Sequence, residues 1–102
     1  MELKIEEGKL GEHPILKLEG RLNAITTEEF QNVLLERTKN TWDDIILDCE
    51  KLEFISSAGL RSLLIGQKEL QKKGYRLELW HVGSSMMRVL KMTGFDRMLK
   101  VT

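Results

Sequence analysis

The stretch Phe54-Ile55-Ser56-Ser57-Ala58-Gly59-Leu60-Arg61 is where residue types and spacing suggest chemistry most directly. It joins an apolar strand end to the start of a helical pattern. A serine at such a junction can act in two ways. As an N-cap, the hydroxyl of Ser56 or Ser57 accepts a hydrogen bond from a free amide two or three residues on. As a regulatory phosphorylation site, it stands where a phosphate is well held, because a helix start carries partial positive charge and unpaired N–H groups. Ala58 and Gly59 keep side-chain bulk low, leaving a hydroxyl approachable by another protein's active site. Both readings remain open on the residues alone.

Elsewhere the reactive residue types are scattered. His13 falls in a turn and His81 at a strand end, and neither has a ligand-spaced Cys, His or Asp partner, so no metal site is expected. Cys49 ends an apolar strand and reads as a small core residue rather than a nucleophile. Asp43, Asp44 and Asp48 flank that strand as solvated loop carboxylates rather than an acid/base pair. The phosphate-cradling GxxxxGK[ST], the dinucleotide GxGxxG and the nucleophile-elbow GxSxG are all missing. No catalytic residue and no cofactor is therefore expected. Of the five methionines, four lie between Met86 and Met98 and suit an irregular core edge, with Met87 a candidate for exposure.

The elements that must hold the serine doublet follow from periodicity. Leu3 and Ile5 alternate with Lys4 and Glu6, and Ile15 to Leu18 forms a second apolar stretch after the Gly8–Gly11 turn. These predict an antiparallel pair, ended by Gly20. Thr26 and Glu29 have capping-box spacing before Phe30, Val33 and Leu34, predicting a helix to about Thr38. Ile45-Ile46-Leu47 reads as a strand covered on both faces, followed by a turn around Lys51 and then Phe54-Ile55. Leu60, Leu63, Leu64 and Leu70 form one helical stripe from Ser57, closed by Gly74. Tyr75, Leu77 and Leu79 alternate as a strand. Met86, Val89 and Leu90 share a helical face between Gly83 and Gly94, and Met98–Val101 reads as a short edge strand. Alternation of strand and helix after the first pair implies parallel crossovers. The expected fold is α/β, a mixed sheet with helices mainly on one face.

The chain has 102 residues, suited to one domain over 1–102, with 41% apolar and 31% charged residues. Sixteen basic and sixteen acidic residues cancel, which removes the electrostatic case for nucleic acid or an acidic membrane surface. No apolar run approaches the roughly 20 residues of a membrane span. The charged N-terminus lacks a signal peptide's apolar core, and a single cysteine suits a reducing compartment. The expected location is the cytoplasm.

Phe54–Arg61 closely resembles the signature of the STAS domain family, the anti-sigma factor antagonists, in which a strand runs into a D-S-[ST]-G-L or S-S-A-G-L turn that opens a helix. Leu18-Glu19-Gly20-Arg21-Leu22-Asn23-Ala24 is similar to the family's L-x-G-x-L-D-A segment, Ile45–Asp48 to its central strand, and Leu90–Phe95 to its closing helix. The resemblance covers nearly the whole chain, in order. It implies that Ser57, with Ser56 as the alternative, is the serine phosphorylated by a partner that is both serine kinase and anti-sigma factor. It also implies that a phosphatase reverses the modification, and that the free protein is a monomer. The implied docking surface takes in Arg21, Asn23, Ala24, Ser56, Ser57, Ala58, Gly59 and Arg61. Ser56 and Asn23 stand where many phosphorylated members carry acids, so negative charge is missing beside the site. Two other functions fit the same fold. One is a non-phosphorylated adaptor subunit, for example of a membrane transport system, with Trp80 and Met87 as a candidate apolar patch. The other is a nucleotide-binding sensor, whose phosphate-binding features are absent here.

Overall fold

Alternating side chains build the first two strands, and the computed structural model describes residues 2–102. Strand β1 (Leu3–Leu10) pairs antiparallel with β2 (His13–Leu22), from Leu3 opposite Gly20 to Leu10 opposite His13. Gly20 does not end β2. At φ 112° it forms an irregularity within the strand, and a Cβ there would lie 2.2 Å from the Glu2 carbonyl oxygen. Only glycine lets the chain pass so close and continue to Leu22.

Helix α1 (Thr26–Lys39) crosses to β3 (Ile45–Ile55), α2 (Ser57–Gln71) to β4 (Leu77–Trp80), and α3 (Ser84–Thr93) through a short 3-10 turn at Phe95–Arg97 to β5 (Lys100–Val101). The sheet order is β1-β2-β3-β4-β5, with every pairing after the first parallel. The expected mixed α/β architecture is present. The turn foreseen around Lys51 is not. β3 runs unbroken from Ile45 to Ile55, because a register shift against β2 between Lys17 and Glu19 absorbs the irregular polar stretch. The capping box at Thr26 and Glu29 also fails to form. Asn23 caps α1 instead, its Oδ1 accepting from the Ile25 and Thr26 amides at 2.9 and 3.0 Å, which draws the Thr26 hydroxyl inward to donate to the Arg21 carbonyl.

One face of the sheet carries the core. Leu16, Leu18 and Leu22 of β2, Ile45, Leu47 and Cys49 of β3, and Leu77 and Leu79 of β4 meet Phe30 and Leu34 of α1, Leu60, Leu63 and Leu70 of α2, and Leu90 of α3. Phe30 and Leu34 fall one helical turn apart, as do Leu60 and Leu63, so each helix lays one stripe on the sheet. Alternation sends Lys17, Glu19, Asp48, Glu50, Glu78 and Trp80 to the opposite face. Ile46 lies there too and is still 2% exposed, so the central strand is buried on both sides at that level. Gly74 and Gly94 take left-handed conformations at the ends of α2 and α3, as their positions predict.

Candidate functional site

The end of β3 and the start of α2 form one continuous junction. Ser56 has extended backbone geometry, and its Oγ accepts from the Gly59 amide at 3.1 Å. Its carbonyl accepts from the Leu60 amide at 2.9 Å, and its own amide donates to the Leu22 carbonyl at 2.8 Å. Ser56 is therefore the N-cap, tied both to α2 and to the end of β2. Ser57 is the first residue of the helix. It is exposed, and among the described residues its hydroxyl has no hydrogen-bond partner. The two readings of the doublet thus separate onto two residues, with the cap on Ser56 and the free hydroxyl on Ser57.

Gly59 is buried. A Cβ there would meet Ile55 Cγ1 at 2.8 Å and Leu22 Cβ at 3.2 Å. Its small size thus lets the helix start sit on the ends of β2 and β3, rather than opening an approach to the serines. Ala58 is half-buried beside it, and Arg61 is exposed one turn after Ser57. The first turn of α2 contains no acidic residue, so the positive end of the helix dipole is left unneutralised by its own side chains.

The Ser56–Leu22 bond brings the Arg21–Ala24 segment against this junction. The Arg21 guanidinium lies 4.5 Å from the centre of the Phe54 ring, its cross-strand neighbour. Asn23 spends its Oδ1 on the α1 cap, and its Nδ2 donates to Glu2 Oε1 at 3.0 Å. Ala24 is exposed. Arg21, Asn23, Ala24 and the serine doublet therefore share one end of the domain, flanked by Ile25, which sequence reasoning passed over, and Phe54, which it read only as a strand end. Ile25 is 77% exposed and Phe54 41% exposed. An apolar residue next to a cap and another next to a serine turn were the available signals. Trp80 and Met87 are half-buried instead, so the apolar patch envisaged on them does not form. Trp80 lies on β4 within the sheet and Met87 in the first turn of α3.

The remaining reactive groups fall outside this end. Cys49 is 3% exposed, and burial, aided by the charge of Asp48, pushes its thiol up to about 12, which suits an inert core residue. His13 opens β2 rather than falling in a turn, and both histidines acquire aspartate partners distant in sequence. His13 Nδ1 lies 3.0 Å from Asp43 Oδ1, and His81 Nδ1 lies 2.9 Å from Asp48 Oδ1. Met86 packs against the core, Met92 and Met98 are exposed, and Met1 lies outside the described residues. No helix is long and apolar enough to cross a membrane among the described residues.

The fold is a one-sided mixed sheet with a serine turn opening its second helix, and the comparisons name its class. The STAS domain profile matches residues 4–102, and the chain belongs to the STAS domain family. BtrV of Bordetella bronchiseptica, a candidate anti-sigma factor antagonist, is 28% identical over 93 residues, covering 91% of this chain and 80% of BtrV. The candidate anti-sigma factor antagonist TM1081 of Thermotoga maritima superposes with a TM-score of 0.88 at 21% identity, over 95% of this chain and 84% of that one. SpoIIAA of Bacillus, an anti-sigma factor antagonist, has been solved unphosphorylated and phosphorylated. Those structures give TM-scores of 0.80 and 0.74 at 20% and 21% identity, each over 98% of this chain and over 87% and 90% of SpoIIAA. At these identities the structural likeness is one of fold.

Proposed function

We propose that this domain is a cytoplasmic anti-sigma factor antagonist. It binds an anti-sigma factor that is also a serine kinase, so that the sigma factor is released, and phosphorylation of Ser57 ends the binding. A phosphatase restores the active form. The observation that carries this reading is the division of labour in the doublet: Ser56 caps α2 while the Ser57 hydroxyl is exposed and unbonded. The names of the relatives support the same reading.

The domain acts by docking rather than catalysis. Its surface comprises Arg21, Asn23 and Ala24 from the β2–α1 loop, Ser56, Ser57, Ala58 and Gly59 at the helix start, and Arg61 on the next turn. Ile25 and Phe54 supply apolar anchors at its edge. Free, the domain is a monomer of one folding unit over residues 1–102. A phosphate on Ser57 adds about −1.5 to −2 charges at pH 7. An unmatched charge in a packed interface costs about 2–5 kcal/mol, roughly 30- to several-thousand-fold in affinity. The exposed hydroxyl accepts the group without disturbing the Ser56 cap, so the switch needs no refolding.

The test is incubation of the purified domain with ATP and the kinase-like protein encoded beside it, with mass spectrometric mapping of any phosphate and Ser57→Ala as control. Phosphate on Ser57 accompanied by loss of binding is the expected result. Phosphate on Ser56 alone overturns the assignment. Stable binding to another partner with neither serine modified replaces the switch with the adaptor reading.

A further inference from the structure

The sheet face left bare by the helices holds a group of side chains that the switch does not use. Parallel pairing of β3 with β4 sets Asp48 opposite Trp80, which brings His81, the next residue, beside Asp48. Glu50 follows two residues on from Asp48 and points to the same face. Each of the three offers one donor atom, and these atoms all lie within 4.8 Å of one another. The set is one imidazole nitrogen and two carboxylate oxygens, so it is not held together by mutual hydrogen bonding of acids.

We propose that Asp48, Glu50 and His81 form a binding site for a divalent transition-metal ion of the zinc type. Imidazole selects for such ions over magnesium or calcium, while two carboxylates cancel the ion's charge. Donor distances of about 2.0–2.2 Å place neighbouring ligands roughly 3–4 Å apart, a modest contraction of the spacing seen. The Asp48 side chain is 14% exposed and already fixed, its Oδ1 accepting from the Glu50 amide at 3.1 Å. His81 is 55% exposed in its side chain, so the ion enters from solvent and keeps water on its open positions. Binding replaces the proton shared between His81 Nδ1 and Asp48 with the metal. Lys17, the cross-strand neighbour of Asp48, opposes it, and Lys4 and Lys51 line the same cleft. The site lies on the opposite face of the sheet from α2, and about 23 Å along β3 from its end. It stands independently of the Ser57 reading.

The experiment titrates NiCl2 into isotopically labelled, tag-free protein and follows paramagnetic broadening of amide signals, with ZnCl2 calorimetry in parallel. Broadening centred on Asp48, Glu50 and His81, with saturable zinc binding of one ion per chain, is expected. His81→Asn retains a residue that tolerates the φ of 56° found there and removes the nitrogen ligand. It and the surface variant Glu50→Gln should each weaken zinc binding by about tenfold or more, and Lys17→Gln should strengthen it. Broadening centred on His13 and Asp43, zinc affinity unchanged in both ligand variants, or no saturable binding would each overturn the proposal.

Discussion

At the scale of single residues, the two serines carry opposite expectations for stability and function. Ser56→Ala removes the cap on α2 and should cost about 1 kcal/mol in chemical denaturation. Ser57→Ala removes an exposed, unbonded hydroxyl and should change stability by less than about 0.5 kcal/mol. Equal losses in the two variants would mean that the cap is shared. His81 gives a second expectation. Its hydrogen bond to Asp48 raises its pKa above the ordinary 6.5, despite some desolvation. Burial alone would raise Asp48, but the bonds from His81 and the Glu50 amide, with the nearby His81 and Lys17 charges, outweigh it and hold the carboxyl below 3.8. The raised histidine stabilises the fold fully below pH 6.5 and loses that contribution as pH climbs through its folded value. The depressed aspartate contributes above pH 3.8 and loses it as pH falls through its own. With chelator present, denaturation midpoints should decline as pH rises past 6.5, and His81→Asn should flatten that decline.

At the scale of elements, the packing of α1 on α2 rests on Gly66. A Cβ there would fall 2.5 Å from Leu34 Cδ2 and 3.0 Å from Leu34 Cγ. Leu34 is fully buried and has little room to give. Alanine at a helix interior ordinarily gains up to about 1 kcal/mol over glycine. Overpacking costs about 1–3 kcal/mol, so Gly66→Ala should destabilise on balance, read as a lower melting temperature. An unchanged or higher melting temperature would show that the helices part without penalty. The same elements show what was legible beforehand. The stripes Leu60–Leu63–Leu70 and Met86–Val89–Leu90 mark helices because periodicity is local, and the Ile45–Leu47 run marks the central strand for the same reason. The capping box was misread because Thr26 and Glu29 satisfy a spacing rule, while Asn23 sits closer to the free amides. The continuity of β3 through Lys51 was hidden because a register shift against β2 depends on a partner strand that local pattern does not reveal. His81 beside Asp48 was hidden for a like reason, since only strand pairing joins them. The junction at Ser56–Ser57 was legible, but not which serine caps.

At the scale of the whole molecule, the helices occupy one face of the sheet and the strands lie in chain order. Neighbouring strands are thus consecutive in the chain, but each parallel pair must first close a whole helical crossover, which slows folding relative to a helix bundle. The proposed docking surface lies at the end of the domain where β3 runs into α2, and the proposed metal site about 23 Å back along β3, so occupancy of either need not disturb the other.

The strands, however, are unequal in length. β3 extends to Ile55, whereas its pairing with β4 ends at Asp48 opposite Trp80. Beyond that point the ladder persists only toward β2. In a deuterated buffer this inequality should appear as an alternating signature. Between Lys51 and Phe54, amides directed at β2 should retain their protons, while those directed at the side without a strand partner should exchange early. Uniform protection along the segment would mean that something else occupies that side in solution.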